Sequence, residues 1–92
     1  MEKIILKSIK KQYDYIDSEE YLVVANEKLK DLYPEIFPEN TMFIEAGERA
    51  KTKEVLFSIV ERMHELSLTR NSTLYIVGGG TISDVASFAA GI

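Results

Sequence analysis

The sequence predicts an α/β protein: a Rossmann-like three-layer domain with a mainly parallel sheet and an N-terminal β-hairpin. Two observations predict this class. Strand patterns alternate with helix patterns along most of the chain, and the apolar run "TLYIV" at residues 73–77 is typical of a strand covered on both faces. Ninety-two residues suffice for one small domain, and right-handed crossovers are expected between its parallel strands.

The first elements follow in chain order. "KIILKSI" at residues 3–9 and "QYDYI" at residues 12–16 predict the two strands of the hairpin, joined by a lysine-rich turn. "EEYLVVA" at residues 19–25 is an apolar run after a turn-like "DS", and it predicts the next strand. Asn26 is then expected to cap a short helix at residues 27–33.

A second strand and a long helix follow a loop bracketed by Pro34 and Pro38, since the residue before a proline avoids helical geometry. "TMFIEA" at residues 41–46 predicts the strand, and the helix is predicted from about residue 51 to residue 66. Apolar residues recur along one face of this helix and are expected to face the core. They are Val55, Leu56, Ile59, Val60, Met63 and Leu66.

Composition argues against several classes of function. The formal net charge is −4 and the eleven basic residues are scattered, which disfavours a nucleic-acid-binding surface. The chain has no cysteine, and its single histidine, His64, cannot form a catalytic triad or a zinc site. No apolar run approaches the ~20 residues of a membrane span. We therefore predict a cytoplasmic protein with no nucleic-acid or membrane partner.

Three consecutive glycines, Gly78, Gly79 and Gly80, stand where the last strand passes into the last helix. Glycine adopts positive φ and lets a ligand approach the backbone, and open α/β sheets bind ligands at the carboxyl ends of their strands. The helix beginning near Thr81 would offer unpaired N–H groups to an anion, and Thr81 and Ser83 would add hydroxyl donors. The pattern predicts a phosphate or pyrophosphate site, although it is neither G-x-G-x-x-G nor the P-loop.

The residues alone leave alternatives open in this segment. The glycines could serve a tight turn and close packing of helix on sheet, helped by Ala86, Ala89 and Ala90. Asp84 in the first turn could simply favour the positive end of the helix dipole. If it faces a ligand instead, it should accept a hydrogen bond from an amide or hydroxyl group, because a phosphate would be repelled.

Glu48 and Lys51 form a second candidate pair, in the loop "EAGERAKTKE" before the long helix. Their spacing permits a surface ion pair, worth a few tenths of a kcal/mol to about 1 kcal/mol. Alternatively, Glu48 could accept from a ribose or base while Lys51 meets a phosphate. This loop and the glycine loop both follow strand ends and are expected at the same rim of the sheet, which favours binding.

The stretch "LTRNSTLYIVGGGTISDVASFAA" resembles the 3-dehydroquinate synthase family, whose members carry a G-G-G-x-x-x-D-x-x-x-F-x-A core. "AGERAK" resembles the family's D-G-E-x-x-K segment, with Ala46 in place of the aspartate. "YLVVANEKLKDLY" resembles the strand and helix that open the family's nucleotide site, so the resemblance covers about residues 20–92. The matching motif residues are Gly47, Glu48, Lys51, Gly78, Gly79, Gly80, Asp84, Phe88 and Ala90.

The resemblance implies that the bound nucleotide is NAD. Gly79, Gly80 and Thr81 would contact its pyrophosphate through backbone groups. Asp84 would lie near the nicotinamide or its ribose.

It also implies that Glu48 and Lys51 hold the adenosine side of the dinucleotide. Asn26 stands where the family usually has an aspartate, and Lys28 where it has an asparagine. An acidic residue at the first position would accept from ribose hydroxyls. The amide oxygen of Asn26 can still accept, but Lys28 adds a positive charge, so NAD and NADP both stay open.

For the parent protein the resemblance implies a lyase of the shikimate pathway of aromatic amino acid biosynthesis. Its reaction is the NAD- and metal-dependent cyclisation of a seven-carbon phosphorylated keto sugar acid with elimination of phosphate. The divalent metal, zinc or cobalt, is bound by a glutamate and two histidines of a helical C-terminal domain. We therefore expect residues 1–92 to be an N-terminal nucleotide-binding domain, a fragment inactive without that domain. A homodimer is expected, because such a fragment exposes apolar surface.

Two other functions stay open. Related sugar phosphate cyclases share these motifs, and glycerol or glycerol-1-phosphate dehydrogenases also carry a G-G-G-x-x-x-D loop, although "LTRNS" and Phe88 favour the synthase. The non-enzyme alternative is a stand-alone nucleotide-binding or oligomerising module.

Overall fold

A computed structural model describes most of the chain, and its secondary structure alternates between strands and helices. The described residues are 2–6, 16, 19–45, 47, 52–78 and 80–91, without the side chain of Thr81. The elements in these ranges are β1 (Glu2–Leu6), β2 (Tyr21–Asn26), α1 (Lys28–Leu32), a 3₁₀ turn (Pro34–Ile36), β3 (Thr41–Ile44), α2 (Lys53–Glu65), β4 (Thr73–Val77) and α3 (Thr81–Ala90).

The four described strands form one sheet in the order β1-β4-β2-β3, and every neighbouring pair is parallel. The registers align the carboxyl ends of all four strands: Leu6 pairs with Val77, Ala25 with Val77, and Asn26 with Ile44. This arrangement confirms the predicted α/β class with its mainly parallel sheet. Of the second hairpin strand, predicted at residues 12–16, all but Ile16 lies outside the described residues.

Both faces of the central strands β2 and β4 are buried, as a parallel sheet between layers requires. Successive side chains of a strand point to opposite faces, so each strand contributes to two separate core clusters. One face carries Leu22, Val24, Leu74 and Ile76, together with apolar residues of α2 and α3. The other carries Val23, Ala25, Tyr75 and Val77, together with Ile16, Leu29 of α1, Ile36 and Phe37.

The predicted core face of the long helix is confirmed. Ile59 is fully buried in the first cluster, and the partly buried residues that pack against it include the other predicted members. The helix begins two residues later than predicted because Thr52 caps it: its side-chain oxygen accepts from the N–H of Val55 at 3.3 Å.

The strand order of the sheet reverses between β2 and β4, and the helices that connect the strands lie on both faces of the sheet. The chain leaves β2 through α1 on one face and reaches the adjacent strand β3, then returns through α2 on the other face to β4. Strands β2 and β4 are neighbours, and the helices that follow them, α1 and α3, pack on opposite faces. A crevice at the carboxyl ends of such a strand pair is the usual ligand site of an open α/β sheet.

The opposite rim of the sheet is closed by a polar cluster around Ser72, which is fully buried. Its hydroxyl accepts from the N–H of Thr69 at 2.9 Å and donates to the carboxylate of Glu20 at 3.2 Å. The backbone continues this link, since the N–H of Thr73 donates to the carbonyl of Glu20 at 3.0 Å. These contacts join the start of β4 to the start of β2 and hold their register.

None of the helices in the described ranges is long and apolar enough to cross a lipid bilayer.

Replacing Ile59 by alanine should lower the free energy of unfolding by about 2–5 kcal/mol, because it leaves a cavity in the cluster between sheet and helices. The matched control is Leu32→Ala on α1, where the leucine is 66% exposed; its effect should stay within about 0.5 kcal/mol. Urea unfolding of the two variants measures both values. Equal losses would contradict the assigned core.

Candidate functional site

The ends of β2 and β4 bring Asn26 and Gly78 together at the point where the strand order reverses. A Cβ placed on Gly78 would lie 3.4 Å from the Cβ of Asn26 and 3.7 Å from that of Ile82. The backbone after β4 therefore passes close to the end of β2 and to the first turn of α3. These two residues are far apart in the sequence, and the sheet register makes them neighbours.

The glycines of this turn adopt backbone conformations that other residues rarely adopt. Gly78 has φ +131° and Gly80 has φ +56° with ψ −121°. At Gly80 a Cβ would meet nothing within 4 Å, so the space over it is open and its identity follows from the backbone angle. The prediction that the turn needs positive φ is confirmed at both positions, whereas Gly79 lies outside the described residues.

The first turn of α3 faces this open space. Gly80 is the residue before the helix, and no side chain of the described residues caps it. The first N–H groups of a helix have no partner within the helix, and here they follow directly after a residue without a side chain. The carbonyl of Gly80 closes the turn by accepting from the N–H of Asp84 at 3.1 Å, and Ser83 lies half-buried between them. Such a turn presents backbone donors suited to an anion.

Close packing of α3 on the sheet also contributes to this segment. Ala86 and Ala89 are fully buried against the first core cluster, and Ala90 is partly buried there. Packing therefore accounts for the small residues of the helix. It does not account for Gly80, where a side chain would touch nothing.

Asn26 is held in place by the chain that follows it. Its side-chain oxygen accepts from the N–H of Lys28, the first residue of α1, at 3.0 Å, although the residue at the N-cap position is Glu27 and not Asn26 as predicted. The side chain of Asn26 is half-buried beside Gly78, whereas Glu27 and Lys28 are exposed. The end of β2 therefore carries the neutral amide of Asn26, followed by the exposed carboxylate of Glu27 and the exposed cation of Lys28.

Asp84 lies on the flank of α3 that faces the start of α2. It lines a cavity of about 290 Å³ with Thr52 and Lys53 at the beginning of α2. The rest of the lining is apolar and consists of Leu56, Val85 and Phe88. Asp84 is exposed and has a lysine across the same cavity, an arrangement that sequence spacing did not predict. It can accept hydrogen bonds from a ligand at the edge of the glycine turn.

Several predicted site residues cannot be placed. Glu48, Lys51 and the side chain of Thr81 lie outside the described residues. Their neighbour Gly47 is described and has φ +104°, so the chain makes a glycine-specific bend just after β3, at the same rim as Asn26. The proposal that this loop faces the glycine turn stays a prediction.

His64 is exposed and lies at the other end of α2, beside a cavity of about 570 Å³ that Met63, Leu68 and Arg70 also line. Among the described residues there is no group of three or more His, Cys, Asp or Glu side chains able to hold a metal ion.

Comparison with known proteins gives a consistent result. The family model described as 3-dehydroquinate synthase N-terminal matches residues 41–92, which include β3, the glycine turn and α3. No solved structure matches the chain significantly.

Curated relatives carry the same name. A 3-dehydroquinate synthase of Prochlorococcus marinus (strain AS9601) is 40% identical over 78 residues, 75% of this chain and 22% of its own length. That of Pyrobaculum islandicum is 39% identical over 70 residues, covering 76% of this chain and 20% of its own. That of Francisella tularensis subsp. mediasiatica is 34% identical over 88 residues, which cover 86% of this chain and 24% of its own length. The chain spans between a fifth and a quarter of the length of these relatives.

Replacing Gly80 by alanine should lower the free energy of unfolding by about 1–3 kcal/mol, because its φ and ψ are strained for any residue with a Cβ. Gly91→Ala is the matched control: Gly91 has φ −82° and ψ −12°, an ordinary helical conformation, so stability should be unchanged or slightly higher. Thermal or urea unfolding checks the pair. A Gly80→Ala variant as stable as Gly91→Ala would rule out the strained turn.

Proposed function

The chain belongs to the 3-dehydroquinate synthase family, and we propose that it provides the NAD-binding part of an enzyme of this kind. The family model and the relatives show which family the chain belongs to. The name of each relative states the activity of that relative only. The proposal for this chain adds the cofactor, the residues that hold it and the reaction that it serves.

One observation carries the proposal: two positive-φ glycines precede a helix start that no side chain of the described residues caps, and the first of them, Gly78, lies beside Asn26 where the strand order reverses. A dinucleotide has two ends joined by a pyrophosphate, and it crosses an open sheet at such a point. In this proposal the pyrophosphate binds to backbone groups of Gly79, Gly80 and Thr81, because N–H groups at the start of a helix and the helix dipole favour negative charge. The hydroxyl of Ser83 is a further donor in the same turn.

The two ends of the dinucleotide are assigned to opposite sides of the turn. Asp84 accepts from the nicotinamide ribose or the carboxamide, since a carboxylate in this position would repel a phosphate. Glu48 and Lys51 hold the adenosine side. Asn26 and Lys28 stand at the end of the neighbouring strand, where Rossmann proteins bind the ribose hydroxyls.

The chemistry of the proposed reaction is shared between this part and a second, helical domain. When bound, NAD would supply reversible hydride transfer, which would make a proton next to the oxidised carbon acidic enough for phosphate to leave. The residues of this chain bind and orient the cofactor; those that hold the divalent metal and the substrate belong to the C-terminal domain. The substrate is a seven-carbon phosphorylated keto sugar acid.

Titration of the ¹⁵N-labelled chain with NAD should shift the amide signals of residues 78–83, with weak affinity because the proposed second domain would supply the other side of the site. Gly80→Ala should weaken binding by about tenfold or more, because a Cβ strains this backbone conformation and moves the N–H groups of the turn away from the pyrophosphate. Gly91→Ala serves as the control and should bind like the unmodified chain. Unmoved signals at residues 78–83 in saturating NAD would refute the pyrophosphate assignment.

The 92-residue chain by itself should release no phosphate from the sugar acid substrate above the uncatalysed rate, with NAD and zinc or cobalt present. The physical reason is that the proposed metal ligands and substrate-binding lysines are supplied by the other domain. An inorganic phosphate assay measures this directly, with a complete 3-dehydroquinate synthase as the positive control. Metal-dependent phosphate release by the isolated chain would contradict this division of roles.

A further inference from the structure

The side chain of Asn26 is engaged by the turn that follows β2. Its Oδ1 accepts from the N–H of Lys28 at 3.0 Å. One lone pair of this oxygen remains, but the amide carries no charge, and the other polar group of the side chain is an NH₂ donor. Asn26 is therefore a weaker acceptor for a ribose hydroxyl than the acidic residue that Rossmann proteins place at the end of this strand.

Glu27, the next residue, supplies a carboxylate at the same rim. Its backbone is fixed on both sides: its N–H donates to the carbonyl of Ile44 at 2.9 Å, and its carbonyl accepts from the N–H of Lys30 at 3.1 Å. Its side chain is exposed and does not cap α1. Among the described residues it forms no ion pair. The backbone thus holds Glu27 at the end of β2 and leaves its carboxylate available to a ligand.

The charges near this end of β2 are of both signs. Lys28 is exposed one residue after Glu27, and Glu45 is exposed directly after β3, the neighbouring strand. The ammonium group of Lys30 is directed to the ring of Phe43, 5.5 Å from its centroid. Apart from Lys30, two carboxylates therefore stand near one ammonium group, and this excess of negative charge opposes the addition of a phosphate.

We propose that Glu27 selects NAD over NADP, because its carboxylate accepts from the 2′-hydroxyl of the adenosine ribose. This inference rests on the proposed function, since it concerns the same dinucleotide site. NADP carries a phosphate on that hydroxyl, with a charge of about −2 at neutral pH. The phosphate offers the carboxylate no hydroxyl proton, and the two groups repel each other.

The position of Glu27 suits this role. Asn26 lies beside Gly78, at the start of the turn where the pyrophosphate is proposed to bind. A ribose joined to that pyrophosphate then lies at the end of β2. A glutamate has one more methylene group than an aspartate, which lets its carboxylate reach the place that an aspartate at residue 26 would serve.

Separate NMR titrations of the ¹⁵N-labelled 92-residue chain with NAD and with NADP measure the preference. The dissociation constant for NADP should exceed that for NAD at least about tenfold, because NAD gains a charge-assisted hydrogen bond that NADP replaces by repulsion. NAD should shift the amide signals of residues 26–28 together with those of residues 78–83.

Glu27→Gln tests the carboxylate directly. It removes the charge and keeps the size, so NAD should bind more weakly and NADP more tightly, and the preference should fall at least about fivefold. The matched control is Glu35→Gln, the same change at an exposed carboxylate in the 3₁₀ turn, which should keep the preference within about twofold. Circular dichroism verifies that both variants remain folded.

Lys28 is the rival determinant, since a lysine binds a phosphate as a point charge. If Glu27 makes the selection, Lys28→Gln should raise the preference for NAD further. A chain that binds NADP at least as tightly as NAD, and loses this binding on Lys28→Gln, would overturn the inference. An unchanged preference in Glu27→Gln would also overturn it.

The titrations also separate this inference from the proposed function. If the signals of residues 78–83 shift equally with both nucleotides at equal affinity, the dinucleotide site stands and the selection by Glu27 is refuted. If neither nucleotide shifts them, the proposed function and this inference both fail.

Discussion

The parallel pairing of β2 with β4 is the constraint on which the arrangement of the rim depends. Its register runs from Tyr21 against Thr73 to Ala25 against Val77, and the next residue on each strand is Asn26 or Gly78. Because the helices after these strands pack on opposite faces, the two strand ends lie at the point where open α/β sheets usually bind their ligands. A shift of this pairing by one residue would exchange the buried faces and separate Asn26 from Gly78.

The glycine turn combines two requirements that act at different residues. At Gly78 the backbone passes close to Asn26, and at Gly80 the space over the Cα is open. Ala86 and Ala89 let α3 pack directly on the sheet, which brings its first turn to the rim. Packing thus positions the helix start, while the backbone angles of the glycines leave its N–H groups accessible. The same segment serves the core and the proposed ligand.

Local patterns predicted the elements and the conformations of single residues well. The apolar run before the glycines, the helical spacing from Val55 to Met63 and the need for positive φ at Gly78 and Gly80 all follow from chemistry within a few neighbouring residues. Contacts between distant segments could not be predicted in this way. The approach of Asn26 to Gly78 depends on strand register, and the lysine facing Asp84 across a cavity depends on how α2 and α3 pack.

The hydrogen bonds of Ser72 and Glu20 join β2 and β4 at the rim opposite to the glycine turn. Side-chain and backbone hydrogen bonds at the amino ends hold β2 and β4 in register without help from the opposite rim. Substitution of Asn26 or Lys28 can therefore change the charge at the opposite rim without disturbing the pairing of the two strands. The residues at the carboxyl ends of the strands can thus be changed separately from those that hold the sheet together.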